Sequence, residues 1–156
     1  MECNTCCFIG HRTIDETEKL KFQLNSIIEM LIVKNHVKTF LFGSRSRFND
    51  LCYETVSALM RNYPFIKRVY VRAEYPVIDE NYKRYLLKDY EETYYPDKIR
   101  GAGSAVYVER NYEMIRKSKY CVFYFKNEEN SKSHKSGTKT ALNYAFNQKK
   151  QIIILS

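Results

Sequence analysis

A chain of 156 residues, 44% hydrophobic and 28% charged with five glycines and three prolines, has the composition of one globular domain, and a core of that size needs neither disulfides nor a structural metal. Its apolar runs are strand-sized, which excludes a membrane-spanning helix, and residues 1 to 20 carry no secretory core, so the expected location is the cytoplasm. The 26 Lys and Arg against 18 Asp and Glu leave a formal charge of +8, and that potential favours a nucleotide, a nucleic acid or an acidic protein surface as partner.

Cys6-Cys7-Phe8-Ile9, stopped by Gly10, is too short for a helix and bulky enough for a buried strand. Thr13 with Glu16 three residues on reads as a capping box. Leu20, Leu24, Ile27, Ile28 and Leu31 then recur at helical spacing, predicting an amphipathic helix from about Ile14 to Lys34. Val37 to Phe42 is a second strand, closed by Gly43 and followed by Ser44-Arg45-Ser46. Phe48, Leu51, Cys52, Val56, Leu59 and Met60 mark a second helix that ends before Pro64, and Ile66 to Val71 is a third strand.

Residues 74 to 103 are the least regular stretch, with Tyr75, Tyr82, Tyr85, Tyr90, Tyr94 and Tyr95 among alternating charges and a short helix over Asp79 to Asp89. Such tyrosines either stack on a base or pack a loop onto a sheet; the second is the commoner use. A helix near Tyr107 to Lys117 leads into the strand Tyr120 to Phe125. After the charged loop Lys126 to Lys135, Ser136-Gly137-Thr138 opens a helix to about Gln148, and Ile152 to Leu155 is the last strand. Strand, glycine and amphipathic helix in alternation predict a Rossmann-like α/β fold, an open parallel sheet with helices on both faces, over residues 1 to 156.

Cys3, Cys6, Cys7, Cys52 and Cys121 form an odd set, three of them crowded into the first strand, and reduced thiols are expected. Cys3 and Cys6 have C-x-x-C spacing without a second ligand pair, so neither a metal nor a cofactor is expected. In open parallel sheets ligands bind beyond the carboxyl ends of the strands. Three polar clusters fall there: Gly10-His11-Arg12, Gly43-Ser44-Arg45 and Ser136-Gly137-Thr138. Glycine permits close backbone approach, the first helical turn offers free N–H groups to an anion, and Ser136 and Thr138 add hydroxyls. Arg12 suits a phosphate better than His11, because its forked donors match phosphate oxygens at any pH. His36 and His134 sit in apparent turns and are expected to be solvated. Glu109-Arg110-Asn111 lies at a helix start, where a helical salt bridge also explains it. The three glycine neighbourhoods are expected to share one rim.

The order of these pieces resembles the DUF1273 or YpsA-like branch of the SLOG superfamily. The resemblance is carried by Cys6-Cys7-Phe8-Ile9-Gly10-His11-Arg12, Gly43-Ser44 before a helix with Phe48, Glu109-Arg110-Asn111-Tyr112-Glu113-Met114-Ile115, Ser118, Cys121-Val122-Phe123-Tyr124 and Ser136-Gly137-Thr138. It spans nearly the whole chain, is weakest between 74 and 103, and implies a Rossmann-like fold. It also implies function among LOG phosphoribohydrolases, the DNA-processing protein DprA and sensor domains for nucleotide-derived signals, and it makes a homodimer a reasonable expectation.

Arg110 looks like the arginine of the LOG Glu-Arg-Lys-x-x-Met helix, and Gly137-Thr138 like the end of the LOG phosphate loop. Where the LOG pattern places its glutamate this chain has Lys139, Thr140 and Ala141, and Ser133-His134-Lys135-Ser136 replaces the Pro-Gly-Gly part. Losing such a carboxylate commonly removes about 10²-fold to 10⁴-fold of rate. Glu109, Glu113 or a residue of the charged loop are the substitutes open to a nucleoside-monophosphate N-glycosidase. Binding of a phosphate-bearing nucleotide or nucleotide-derived ligand is therefore expected ahead of catalysis. A DprA-like single-strand binder ranks below both, because the basic residues are scattered.

Overall fold

Short apolar segments that alternate with amphipathic helices have one economical arrangement, strands side by side and helices laid over both faces. The computed structural model, which describes residues 4–126 and 137–156, has that form. The order along the chain is β1 (Thr5–Gly10), α1 (Glu18–Val33), β2 (Thr39–Phe42), α2 (Arg47–Leu59), β3 (Lys67–Val71), α3 (Glu80–Leu86), β4 (Glu92–Tyr94), α4 (Val106–Arg116), β5 (Tyr120–Tyr124), α5 (Gly137–Asn147) and β6 (Gln151–Leu155). Single 3₁₀ turns at Asp97–Ile99 and Gly103–Ala105 precede α4. The six strands are all parallel, in the order β4-β3-β2-β1-β5-β6.

The pleat sorts alternate residues into two cores. Cys6, Phe8, Phe40, Phe42, Val122 and Tyr124 meet Leu24, Ile28 and Leu31 of α1 and Phe48, Cys52 and Val56 of α2. Cys7, Ile9, Leu41, Val71, Cys121 and Phe123 meet Met114 and Ile115 of α4 and Ala141, Leu142 and Ala145 of α5. Burial on both faces makes β1 and β5 read as unbroken apolar runs. Cys6, Cys7, Cys52 and Cys121 are buried free thiols, and Cys3 lies outside the described residues. Burial pushes the Cys6 and Cys52 thiols well above their ordinary pKa, so they act as small apolar side chains.

The first helix starts later than its capping box predicts. Thr17 is the cap, accepting from Leu20 N–H at 3.0 Å, because residues 14 to 16 are used elsewhere. Ile14 packs on the core, the Asp15 N–H donates to the Tyr124 hydroxyl at 3.2 Å, and Glu16 accepts from Arg47 Nε at 2.7 Å. Val37 is buried but precedes β2, its N–H donating to the Leu31 carbonyl at 3.0 Å. The irregular stretch contains a strand that its sequence does not announce: β4 has only Glu-Thr-Tyr, paired with Val69–Val71 at the sheet edge. The tyrosines of that stretch divide. Tyr90 stacks on Tyr70 with ring centroids 5.3 Å apart and Tyr94 packs on the α4 side of the sheet, whereas Tyr75 and Tyr85 are exposed.

Candidate functional site

The chain builds the sheet outward from β1 to β4, then returns across it to place β5 on the other side of β1. That reversal opens a crevice at the carboxyl ends of β1 and β5, where the loops on either side diverge. A cavity of about 760 Å³ lies at these strand ends.

Each element delivers part of its wall: Gly10, His11 and Arg12 from the end of β1; Gly43, Ser44, Arg45 and Ser46 from the end of β2; Tyr70, Ala73 and Glu74 from the end of β3. Tyr107, Arg110 and Asn111 come from α4, and Gly137 and Thr138 from the start of α5. The three glycine neighbourhoods thus share one cavity. Ser136 and His134 lie outside the described residues. His36 is exposed, in a turn with φ 58°.

Two of the glycines serve packing rather than ligand approach. A Cβ on Gly10 would overlap the Phe48 ring, and one on Gly43 would sit 2.6 Å from Arg110 Cδ and 2.7 Å from Met114 Sδ. Gly137 has open space where a side chain would be. His11 is also engaged within the protein. Its Nε2 accepts from the Lys126 N–H at 3.0 Å, which ties the end of β1 to the end of β5. The start of α2 is satisfied from within. Ser46 accepts from Asn49 N–H at 3.0 Å, Asn49 Oδ1 from Gly43 N–H at 3.3 Å, and the Arg12 carbonyl from Arg47 N–H at 2.9 Å.

Arg110 forms the cavity's inner wall. It is 5% exposed, donates from Nη1 to the Gly43 carbonyl and from Nε to Asn111 Oδ1 at 3.2 Å, and lies 5.8 Å from the Tyr107 ring centre. Burial lowers its pKa from the ordinary arginine value, but a guanidinium remains charged at any working pH. Among the described residues no carboxylate forms an ion pair with it. Arg12 and Arg45 are exposed at the rim. Among the described residues, three arginines thus line the cavity against one acidic residue, Glu74.

Glu74 is held from two sides. The Tyr107 hydroxyl donates to its Oε1, and Arg45 Nη2 lies 3.7 Å from its Oε2. The hydrogen bond to Glu74 is also the main reason the Tyr107 pKa is raised. Tyr70, Glu74 and Tyr107 are the polar and aromatic wall residues outside the predicted clusters; Ile9, Ser46 and Ala73 complete the wall. The strand-end rule, applied to the third strand as to the first two, points at Tyr70 and Glu74; Tyr107 lies one helical turn before Arg110.

The two carboxylates with a predicted enzymatic role do not line this cavity. Glu113 is buried beside Arg116, 3.4 Å away, and Tyr94, in a second depression of about 620 Å³ that Thr5 and Thr39 also line. Glu109 is half-buried in the first turn of α4 and lines neither. No group of three or more His, Cys, Asp or Glu among the described residues is arranged to hold a metal ion. No described helix is long and apolar enough to cross a membrane. No family model and no curated protein matches this chain.

Proposed function

We propose that the cavity binds a nucleotide or a nucleotide-derived ligand through its phosphate, and that the chain works as a binding or sensor module. One observation carries this reading: Arg12, Arg110 and the first turn of α5 converge on one cavity at the switch point of the sheet, with Arg45 in the same wall beside Glu74. Arginine forks and the positive end of a helix both suit phosphate oxygens. The DUF1273-like order of motifs supports the same class of ligand.

Catalysis is the weaker alternative. An N-glycosidase needs a carboxylate at the anomeric carbon, and Glu74, the acidic residue of the described wall, follows β3, three strand intervals from β5 and the start of α5. A single-strand binder would require a basic track along the surface. Here many cations are paired with neighbouring carboxylates, as Arg47 is with Glu16 and Arg68 with Glu91.

Thermal unfolding with a panel of purine and pyrimidine nucleoside phosphates tests the proposal. A ligand at one hundred times its Kd stabilises by about 2.7 kcal/mol, and that stabilisation is expected to disappear in Arg12→Ala and Thr138→Ala. Chromatography of the same mixtures is expected to detect no free base. A panel that moves no unfolding midpoint overturns the binding reading, and released base restores the enzyme.

A further inference from the structure

Resting on the nucleotide reading above, we propose that Arg45 and Glu74 together read the hydrogen-bonding edge of guanine, so that the ligand is a guanine nucleotide. A carboxylate repels a phosphate directly, and helps bind one only by holding an arginine in place. Glu74 nevertheless lies in the cavity wall, and it stands at the opposite end from the start of α5. Three strand intervals separate the ends of β3 and β5, about 14 Å at the usual strand spacing. With the phosphate at Thr138 and Arg12, that reach places the base, rather than the sugar, beside Glu74.

A carboxylate only accepts hydrogen bonds, so it selects for donors. Guanine presents two adjacent donors, N1–H and the N2 amino group, with the acceptor O6 next to them. Adenine and cytosine each set one amino donor beside a ring acceptor, and uracil sets one donor between two acceptors. Glu74 and Arg45 supply the complement of guanine, two acceptor oxygens followed by a guanidinium donor, and arginine is the usual partner of guanine O6. Tyr107 occupies one lone pair of Oε1 and Arg45 lies toward Oε2, which leaves further lone pairs on both oxygens. The Arg45 side chain is 76% exposed, and its five donors leave some open to O6 beside its contacts with Glu74 and Tyr70. Tyr70 and Tyr107 line the same wall; Tyr70 is stacked on Tyr90, so the exposed Tyr107 is the ring a base can meet.

Calorimetric titration of the full chain with GMP, IMP, AMP and ribose 5-phosphate tests this. IMP lacks only the N2 amino group, so GMP is expected to bind roughly 5-fold to 150-fold tighter than IMP, the discrimination of one good bidentate contact, with AMP weaker again. Glu74→Gln is expected to bring GMP to the level of IMP and AMP while ribose 5-phosphate keeps its affinity. Equal binding of the three nucleotides, or a preference for AMP, overturns the guanine assignment and leaves the nucleotide site standing. Should Glu74→Gln weaken all four ligands alike, Glu74 only orients Arg45 for phosphate, and the assignment falls as well. If none of the four binds, ribose 5-phosphate included, the phosphate site itself is wrong and the guanine assignment goes with it.

Discussion

Gly43 sits where the backbone of β2 passes beneath Arg110, and its missing side chain is what lets that guanidinium lie against the strand end. In Gly43→Ala the new methyl would meet Arg110 Cδ and Met114 Sδ, so Arg110 must move or the helix must shift. Overpacking of this kind costs about 1 to 3 kcal/mol, and the displaced arginine should weaken ligand binding too. Gly137→Ala is the control, because its Cβ meets open space, and its stability is expected to stay within about 0.5 kcal/mol. Denaturant midpoints for the two variants check this; equal losses would mean that Gly43 is not the tight contact. The same residues show where sequence reading stops. Glycine at a strand end is visible, but whether it admits a ligand or a neighbouring side chain depends on α4, which follows some sixty residues later. Glu74 was hidden for the same reason, since one of the groups that fix its role, Tyr107, lies 33 residues away.

At the scale of the element, α1 shows how a correct local signal loses to tertiary contacts. Thr13 and Glu16 have capping-box spacing, yet Glu16 forks onto Arg47 at the start of α2 and Thr17 takes the cap. Removing a threonine cap costs about 1 kcal/mol, so Thr17→Ala should lower the unfolding free energy from urea titration by that amount and Thr13→Ala, exposed and outside the helix, should leave it nearly unchanged. The reverse pattern would mean that the helix begins at Ile14 in solution. The strands of the two cores were legible because both of their faces are apolar. β4 was not, because Glu92-Thr93-Tyr94 owes its strand conformation to the ladder of β3 and to the Arg72 N–H, which donates to the Tyr94 carbonyl at 2.8 Å. No local pattern in three such residues specifies a strand.

In the whole molecule, stability and binding are arranged along one axis of the sheet. β1 and β5 lie inside it, each between two strands, with almost every residue buried, whereas β4 is a short, partly exposed edge. Backbone amides open at a free energy set by how much packing must be lost, so native-state hydrogen exchange should be slowest in β1 and β5 and fast in α3 and β4. The cavity draws its wall from the ends of β1, β2 and β3 and from α4 and α5, so a bound ligand joins the two sides of the switch point. Ligand should therefore slow exchange at residues 43 to 46 and in the first turn of α5, and leave the Glu92–Tyr94 amides as they were. The +8 charge contributes differently: it attracts anions of every kind, with a pull that weakens as salt rises. On the proposed reading, selection among those anions falls to the cavity, where Arg110 is screened from solvent. Slowing confined to the α5 turn would mean a bare anion at a helix start; slowing that also reaches residues 43 to 46 requires a ligand long enough to span β5 to β2.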